Sequence, residues 1–148
     1  MLILGSLPGT ASLEAGQYYA HPRNRFWQLA GMLIDRPDLP GLHYAERCDA
    51  LLAASLGLWD VYASANRPGS LDTAIRDAED AALGNLVEAL PDLRVVAFNG
   101  KTASRAGRRI LQDIRRPLID LPSSSPANAA VPLADKQAAW LTLKAFLR

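Results

Sequence analysis

Short apolar runs alternate along this chain with longer stretches in which apolar residues recur every three or four positions. Four runs have the length and boundaries of strands: Leu2–Gly5, Leu58–Tyr62, Arg94–Phe98 and Pro117–Leu121. Helical spacing predicts helices over Asn24–Ile34, Ala45–Leu56, Asp72–Asp80, Leu83–Ala89, Thr102–Gln112 and Asp135–Phe146. In the last of these, Ala138, Trp140, Leu141, Leu143 and Ala145 make a wide apolar stripe, and Asp135 suits the first turn. Strands separated by helices imply an α/β fold with a mainly parallel sheet covered on both faces. Such a sheet builds its ligand site at the carboxyl ends of its strands. Here those ends are Gly5-Ser6-Leu7-Pro8-Gly9, Asp60-Val61-Tyr62, Phe98-Asn99-Gly100 and Leu121-Pro122-Ser123-Ser124-Ser125-Pro126. All are polar or rich in Gly and Pro, and they are expected to converge on one rim.

Length and composition narrow this picture. A chain of 148 residues, 49% of them apolar, suits one domain over 1–148 with a full core. No apolar run approaches the ~20 residues of a membrane span. The chain opens on a strand rather than on a basic-then-apolar leader, so no secretory signal is expected. The single cysteine, Cys48, excludes an internal disulfide and a cysteine-based zinc site, and reads as a half-buried helix residue. A reduced, cytoplasmic setting fits. The formal net charge of +1 argues against tight nonspecific binding to DNA. It leaves room for a local basic face built from Arg23, Arg25, Arg67, Lys101, Arg105, Arg108, Arg109, Arg115 and Arg116. Two histidines, His21 and His43, and no clustered ligands argue against a metal site, and no Gly-x-Ser-x-Gly or Gly-x-Gly-x-x-Gly motif is present.

The candidate chemistry lies at the predicted rim. Gly5 to Gly9, including Ser6 and Leu7, let the backbone approach a ligand closely, or form an ordinary turn. In Tyr18-Tyr19-Ala20-His21-Pro22-Arg23-Asn24-Arg25-Phe26-Trp27, either Tyr19 or Phe26 offers a flat wall for a base. Trp27 reads as core, and His21 as a hydrogen-bonded structural residue. Asn24 either caps the helix or holds a water through its side-chain carbonyl; spacing alone does not choose. Asp60, a carboxylate in an apolar strand, either meets a donor in the site or pairs with a backbone N–H or an arginine. Ser70 or Asp72 reads as an N-cap. The Asn99 amide matches the edge of a base, against the bland reading of an Asn-Gly turn. Lys101 and the helix start after it suit a phosphate. The run Ser123, Ser124, Ser125, Pro126 and Ala127 can lie against a phosphate backbone or press a small wedge into a base stack, or be a solvated loop.

Taken in order, Gly5-Ser6-Leu7-Pro8-Gly9, His21-Pro22-Arg23-Asn24-Arg25-Phe26-Trp27, Phe98-Asn99-Gly100 and Leu121-Pro122-Ser123-Ser124-Ser125-Pro126-Ala127-Asn128 resemble the motifs of the uracil-DNA glycosylase superfamily. The resemblance covers nearly the whole chain and is greatest to the hypoxanthine-DNA glycosylase branch. It implies a three-layer α/β/α sandwich around a short, mainly parallel sheet. It also implies a monofunctional glycosylase, without metal or cofactor, that flips a deaminated base out of DNA and hydrolyses its N-glycosidic bond. Leu7 stands where many members carry the Asn or Asp that holds the water, and Leu121 where the last motif carries His or Asn. By this resemblance Asn24 positions the water, Asn99 contacts the base or supports catalysis, and Tyr19 stacks on the flipped base. Ser123 to Ala127 would form the wedge and pinch the phosphates. No long apolar wedge is present there, so weak insertion and a preference for mispaired or single-stranded substrate are expected.

The leading expectation is therefore a DNA repair glycosylase acting on hypoxanthine. It would be a monomer, cytoplasmic or nucleoid-associated in a bacterium, with damaged DNA as its partner and no membrane contact. The alternatives are a uracil or mismatch-specific glycosylase, a catalytically inactive nucleic-acid-binding module, and a small-molecule nucleoside hydrolase using the same rim.

Overall fold

The computed structural model describes residues 1–147. The elements in chain order are β1 (Leu2–Gly5), α1 (Thr10–Ala15), α2 (Phe26–Leu33), α3 (Tyr44–Ala53), β2 (Gly57–Asp60), β3 (Tyr62–Asn66), β4 (Arg76–Asp80), α4 (Leu83–Glu88), β5 (Val96–Asn99), α5 (Lys101–Ile110), β6 (Leu118–Leu121) and α6 (Leu133–Leu141). Four strands form a parallel sheet in the order β2-β1-β5-β6. The alternation of side chains along each strand divides the core in two. Ile3, Val95, Ala97 and Leu121 pack on one face with Phe26, Trp27, Leu29 and Trp140 of α2 and α6. Leu2, Leu4, Val96 and Phe98 pack on the other with Leu83, Ala103, Ala106 and Leu111 around α4 and α5. These are the three layers expected of a sheet that is apolar on both sides.

Register places the strand ends level. Gly5 pairs with Asp60, Leu4 with Phe98, and Asn99 with Leu121. Gly5, Asp60, Asn99 and Leu121 thus stand in one row at the carboxyl edge, as the sequence pattern requires.

The expected helix over Asp72–Asp80 does not form. The chain makes a short 3-10 turn at Asp72–Ala74 and then β4, which pairs antiparallel with β3. Residues 76–80 carry good helix formers, yet all five are exposed, so no apolar stripe seats a helix on the core. Pairing with β3 and a bidentate Arg109–Asp80 contact, both bonds 2.7 Å, hold the ribbon instead. The expected strand through Tyr62 likewise ends at Asp60. The buried Val61 turns the chain out of the sheet and into β3. The helix expected from Asn24 begins at Phe26, because Asn24 Oδ1 accepts the Phe26 N–H at 2.9 Å. The short α1 carries no long periodic pattern to announce it. Gly16, at φ 63°, closes it in the left-handed region that glycine enters freely. Among the described residues no helix is long and apolar enough to cross a membrane.

Candidate active site

A cleft of about 930 Å³ opens at the carboxyl edge of the sheet. Of the residues singled out for catalysis, base contact or the wedge loop, all line it except one. Gly5, Ser6, Leu7, Tyr19, Asn24, Asp60, Asn99, Lys101 and the Ser123–Ala127 loop all contribute. Phe26 does not reach it. Fully buried, its ring stacks behind Tyr19 with centroids 3.9 Å apart and planes at 13°. Of the two aromatics offered as a wall, only Tyr19 faces the cleft.

Tyr19 is held in an unusual backbone state, with φ 53°, that costs an aromatic residue on the order of 1–2 kcal/mol. The surroundings enforce it. Tyr44 Oη accepts the Tyr18 N–H at 3.1 Å, Ser12 Oγ accepts the Ala20 N–H at 3.1 Å, and Trp27 Nε1 donates to the Tyr18 carbonyl at 3.2 Å. Burial pushes the Tyr19 phenol above its ordinary range; the neighbouring Asn99 amide opposes this and the Asp60 charge adds to it. Tyr19 is therefore a neutral hydroxyl on a flat wall.

Asn24 is fixed by two bonds. Its N–H donates to the His21 carbonyl and its Oδ1 accepts the Phe26 N–H, both at 2.9 Å. The oxygen keeps a second lone pair, so holding the helix start does not prevent it from accepting a hydrogen bond from a water. His21 Nδ1 accepts the Arg23 N–H at 3.1 Å, a structural bond.

Asn99 is committed to the protein. Its Oδ1 accepts the Ser124 N–H and its Nδ2 donates to Ser124 Oγ, both at 2.9 Å, and both residues are buried. The amide tethers the Ser123–Ala127 loop to the end of β5. That geometry favours the supporting role over direct base contact.

Asp60 makes no hydrogen bond or ion pair among the described residues. Burial lifts its carboxyl to about 6, with the Arg67 guanidinium pulling down and the Asp72 charge pushing up. A methyl group on Gly5 would sit 2.8 Å from Asp60 Oδ1 and 3.0 Å from the Tyr19 hydroxyl oxygen. Only a glycine leaves this approach open.

The outer wall was not legible in the sequence. The loop between β3 and β4 straps the β1 loop down. Arg67 Nη2 donates to the Pro8 carbonyl, Ser6 Oγ donates to Asp72 Oδ1 at 2.6 Å, and Ser70 Oγ accepts the Thr10 N–H at 3.0 Å. Ser70 and Asp72 are thus straps rather than caps; Leu71 holds the cap position without a side-chain bond. Arg67, placed in the basic face by sequence, is buried against these groups, with its side chain 6% exposed. Arg108 and Arg109 also leave that face, paired with Asp120 at 3.0 Å and Asp80 at 2.7 Å. Lys101 and Arg105 remain exposed at the cleft.

The model of the family described as "Uracil DNA glycosylase superfamily" matches residues 1–144. A hypoxanthine DNA glycosylase of Methanosarcina barkeri is 46% identical over 101 residues, which cover 68% of this chain and 63% of that relative's length. A hypoxanthine DNA glycosylase of Methanosarcina acetivorans is 39% identical over 128 residues, 86% of this chain and 80% of the relative. The solution NMR structure of a candidate uracil DNA glycosylase from Methanosarcina acetivorans superimposes with a TM-score of 0.85. It is 35% identical, with 97% of this chain and 87% of that chain covered.

Proposed function

This chain belongs to the uracil DNA glycosylase superfamily, and from that premise we propose that it is a monofunctional DNA glycosylase that removes hypoxanthine from DNA. The observation that carries the proposal is the meeting of Tyr19, Asn24 and Asp60 around one cleft at the strand ends. The choice of hypoxanthine is supported by the names of the two curated relatives.

The chemistry follows from the groups present. A base buried in a duplex cannot be reached, so the nucleotide turns out into the cleft, and unstacking costs a few kcal/mol. The Tyr19 ring, backed by Phe26, receives the face of the base. Hypoxanthine presents a ring N–H beside a carbonyl where adenine presents a bare nitrogen. The unpartnered Asp60 carboxylate accepts that N–H and is repelled by the lone pair of adenine. Breaking the glycosidic bond leaves positive charge on the sugar and negative charge on the departing base. Catalysis therefore consists of stabilising both with groups already in place. Asn24 holds the water that attacks the sugar carbon, and the water's proton leaves to solvent or to the base. The Asn99–Ser124 tether keeps the rim loop over the site.

The test is base release from labelled oligonucleotides carrying one inosine, uracil or xanthine, single-stranded and in each mispair, followed by alkaline cleavage of abasic sites. Cleavage at inosine, lost by on the order of 100-fold or more in Asn24→Ala, is the expected outcome. Cleavage mainly at uracil would move the chain to the uracil-specific reading, since uracil offers the same N–H to Asp60. No release, with DNA still bound, would make the chain a binding module.

A further inference from the structure

Lys136 lies in the first turn of α6 and is only 4% exposed. Lysine is almost never buried without a partner, because its charge loses water without replacement. Yet its side chain makes no hydrogen bond or ion pair among the described residues, and only its backbone N–H is bound, to the Pro132 carbonyl at 3.1 Å. Its ammonium is not sealed in, since among the described residues the only fully enclosed side-chain nitrogen or oxygen lacking a partner is Arg67 Nε. The stem is buried and the head reaches an opening.

The fold says where that opening is. Lys136 and Trp140 are one turn apart on one face of α6. Trp140 packs edge-on against Phe26, 5.7 Å between centroids, and its indole donates to the Pro122 carbonyl at 3.3 Å. Lys136 therefore stands beside the start of α2, where Arg25 is. Burial holds the Lys136 amine below its ordinary range, and the Arg25 charge lowers it further. The side chain of Arg25 touches only the neutral Gln28 Oε1, at 3.3 Å, and its backbone N–H binds the Ser124 carbonyl at 3.0 Å. Two cations thus act on each other where the Ser123–Ala127 loop is fastened, and neither has a carboxylate partner among the described residues. Such a pair is repulsive unless an anion occupies the gap.

We propose that Arg25 and Lys136 form a seat for one phosphodiester of the bound DNA strand, just outside the cleft and behind the Ser123–Ala127 loop. The proposal rests on the reading of the protein as a DNA glycosylase. The seat anchors the backbone beside the flipped nucleotide, where the rim loop offers only small side chains. An inorganic phosphate would satisfy the same charges.

The test uses the whole chain and fluorescence anisotropy with a labelled undamaged duplex across a salt series. Lys136→Met keeps the buried stem and removes the charge; Lys136→Arg keeps the charge. Loss of one phosphate contact should reduce the slope of log affinity against log salt by about 0.9. Affinity at low salt should fall several-fold in Lys136→Met and in Arg25→Gln, and return in Lys136→Arg. An unchanged slope and affinity in a folded Lys136→Met would overturn the seat, as would binding of inorganic phosphate with no effect on DNA. If the parent protein releases no base but the slope still drops, the glycosylase reading fails and the seat stands. If base release proceeds and the slope is unmoved, the seat alone fails. No binding of DNA by the parent protein would sink both.

Discussion

The proposed recognition of the base leans most on Asp60, whose burial the Arg67 guanidinium offsets only in part. Its carboxyl is lifted from the ordinary 3.8 to about 6, mainly by desolvation. The native state therefore binds this proton more tightly than the unfolded chain does. Its contribution to stability falls as pH rises from about 4 through about 6 and then levels off. The gap corresponds to on the order of 2–3 kcal/mol. Asp60→Asn should remove this dependence: thermal melting should show the variant more stable than the parent at pH 7–8, with the difference vanishing near pH 4. Base release by the parent should rise through pH 6 as the carboxylate forms, and that inflection should disappear in the variant. A parent no less stable at pH 8 than at pH 4, against an unchanged variant, would refute the assignment. The sequence singled out Asp60 as a carboxylate out of place, but left open whether an arginine satisfied it. Arg67 does act on it, yet spends its own bonds on Pro8 and Asp72. Asn24 and Asn99 were equally ambiguous as letters. Only the positions of the Phe26 N–H and of Ser124 show that Asn24 holds the helix start and that Asn99 is a tether.

At the scale of elements, each core strand was readable because apolar runs of four residues between turn clusters have few other homes. The β3–β4 ribbon was not, because its order comes from Arg67, Ser70 and Asp72 meeting the β1 loop some sixty residues earlier, and local propensity carries no sign of that. The seating of α5 is a further tertiary fact. A methyl group on Gly107 would lie 2.1 Å from Cε1 of Phe98, whose ring is fully buried. Replacing a helical glycine by alanine ordinarily gains about 1 kcal/mol. Here an overlap that deep, against a ring with nowhere to turn, outweighs the gain and costs about 1–3 kcal/mol net. For a chain of this size that is a fall of roughly 3–10 °C in Tm. Since Phe98 precedes Asn99, base release should weaken with it. A melting point raised by Gly107→Ala would show that α5 is not seated flush on β5.

Across the whole molecule, charge is sorted rather than accumulated. The net charge of +1 suggested weak attraction to DNA, and the pairing of charges shows how the proposed DNA-binding face is compatible with it. Arg36, Arg67, Arg108, Arg109 and Lys144 are each paired with a carboxylate. Lys101 and Arg105 at the cleft, and Arg25 and Lys136 behind the rim loop, are not. The salt dependence should therefore report the unpaired cations on the proposed DNA face, Lys101, Arg105, Arg25 and Lys136, and not the paired or distant basic residues. We expect a slope of log affinity against log salt of about −3, corresponding to roughly three phosphates, one each at Lys101 and Arg105 and one shared by Arg25 and Lys136. Lys101→Ala and Arg105→Ala should each lower it by about 0.9, while Arg109→Ala should leave it nearly unchanged because its charge is already spent on Asp80. A slope near −10 would mean that the ion pairs open on DNA and that the sorted arrangement is not the one that binds. Equal losses for Arg105→Ala and Arg109→Ala would mean the same.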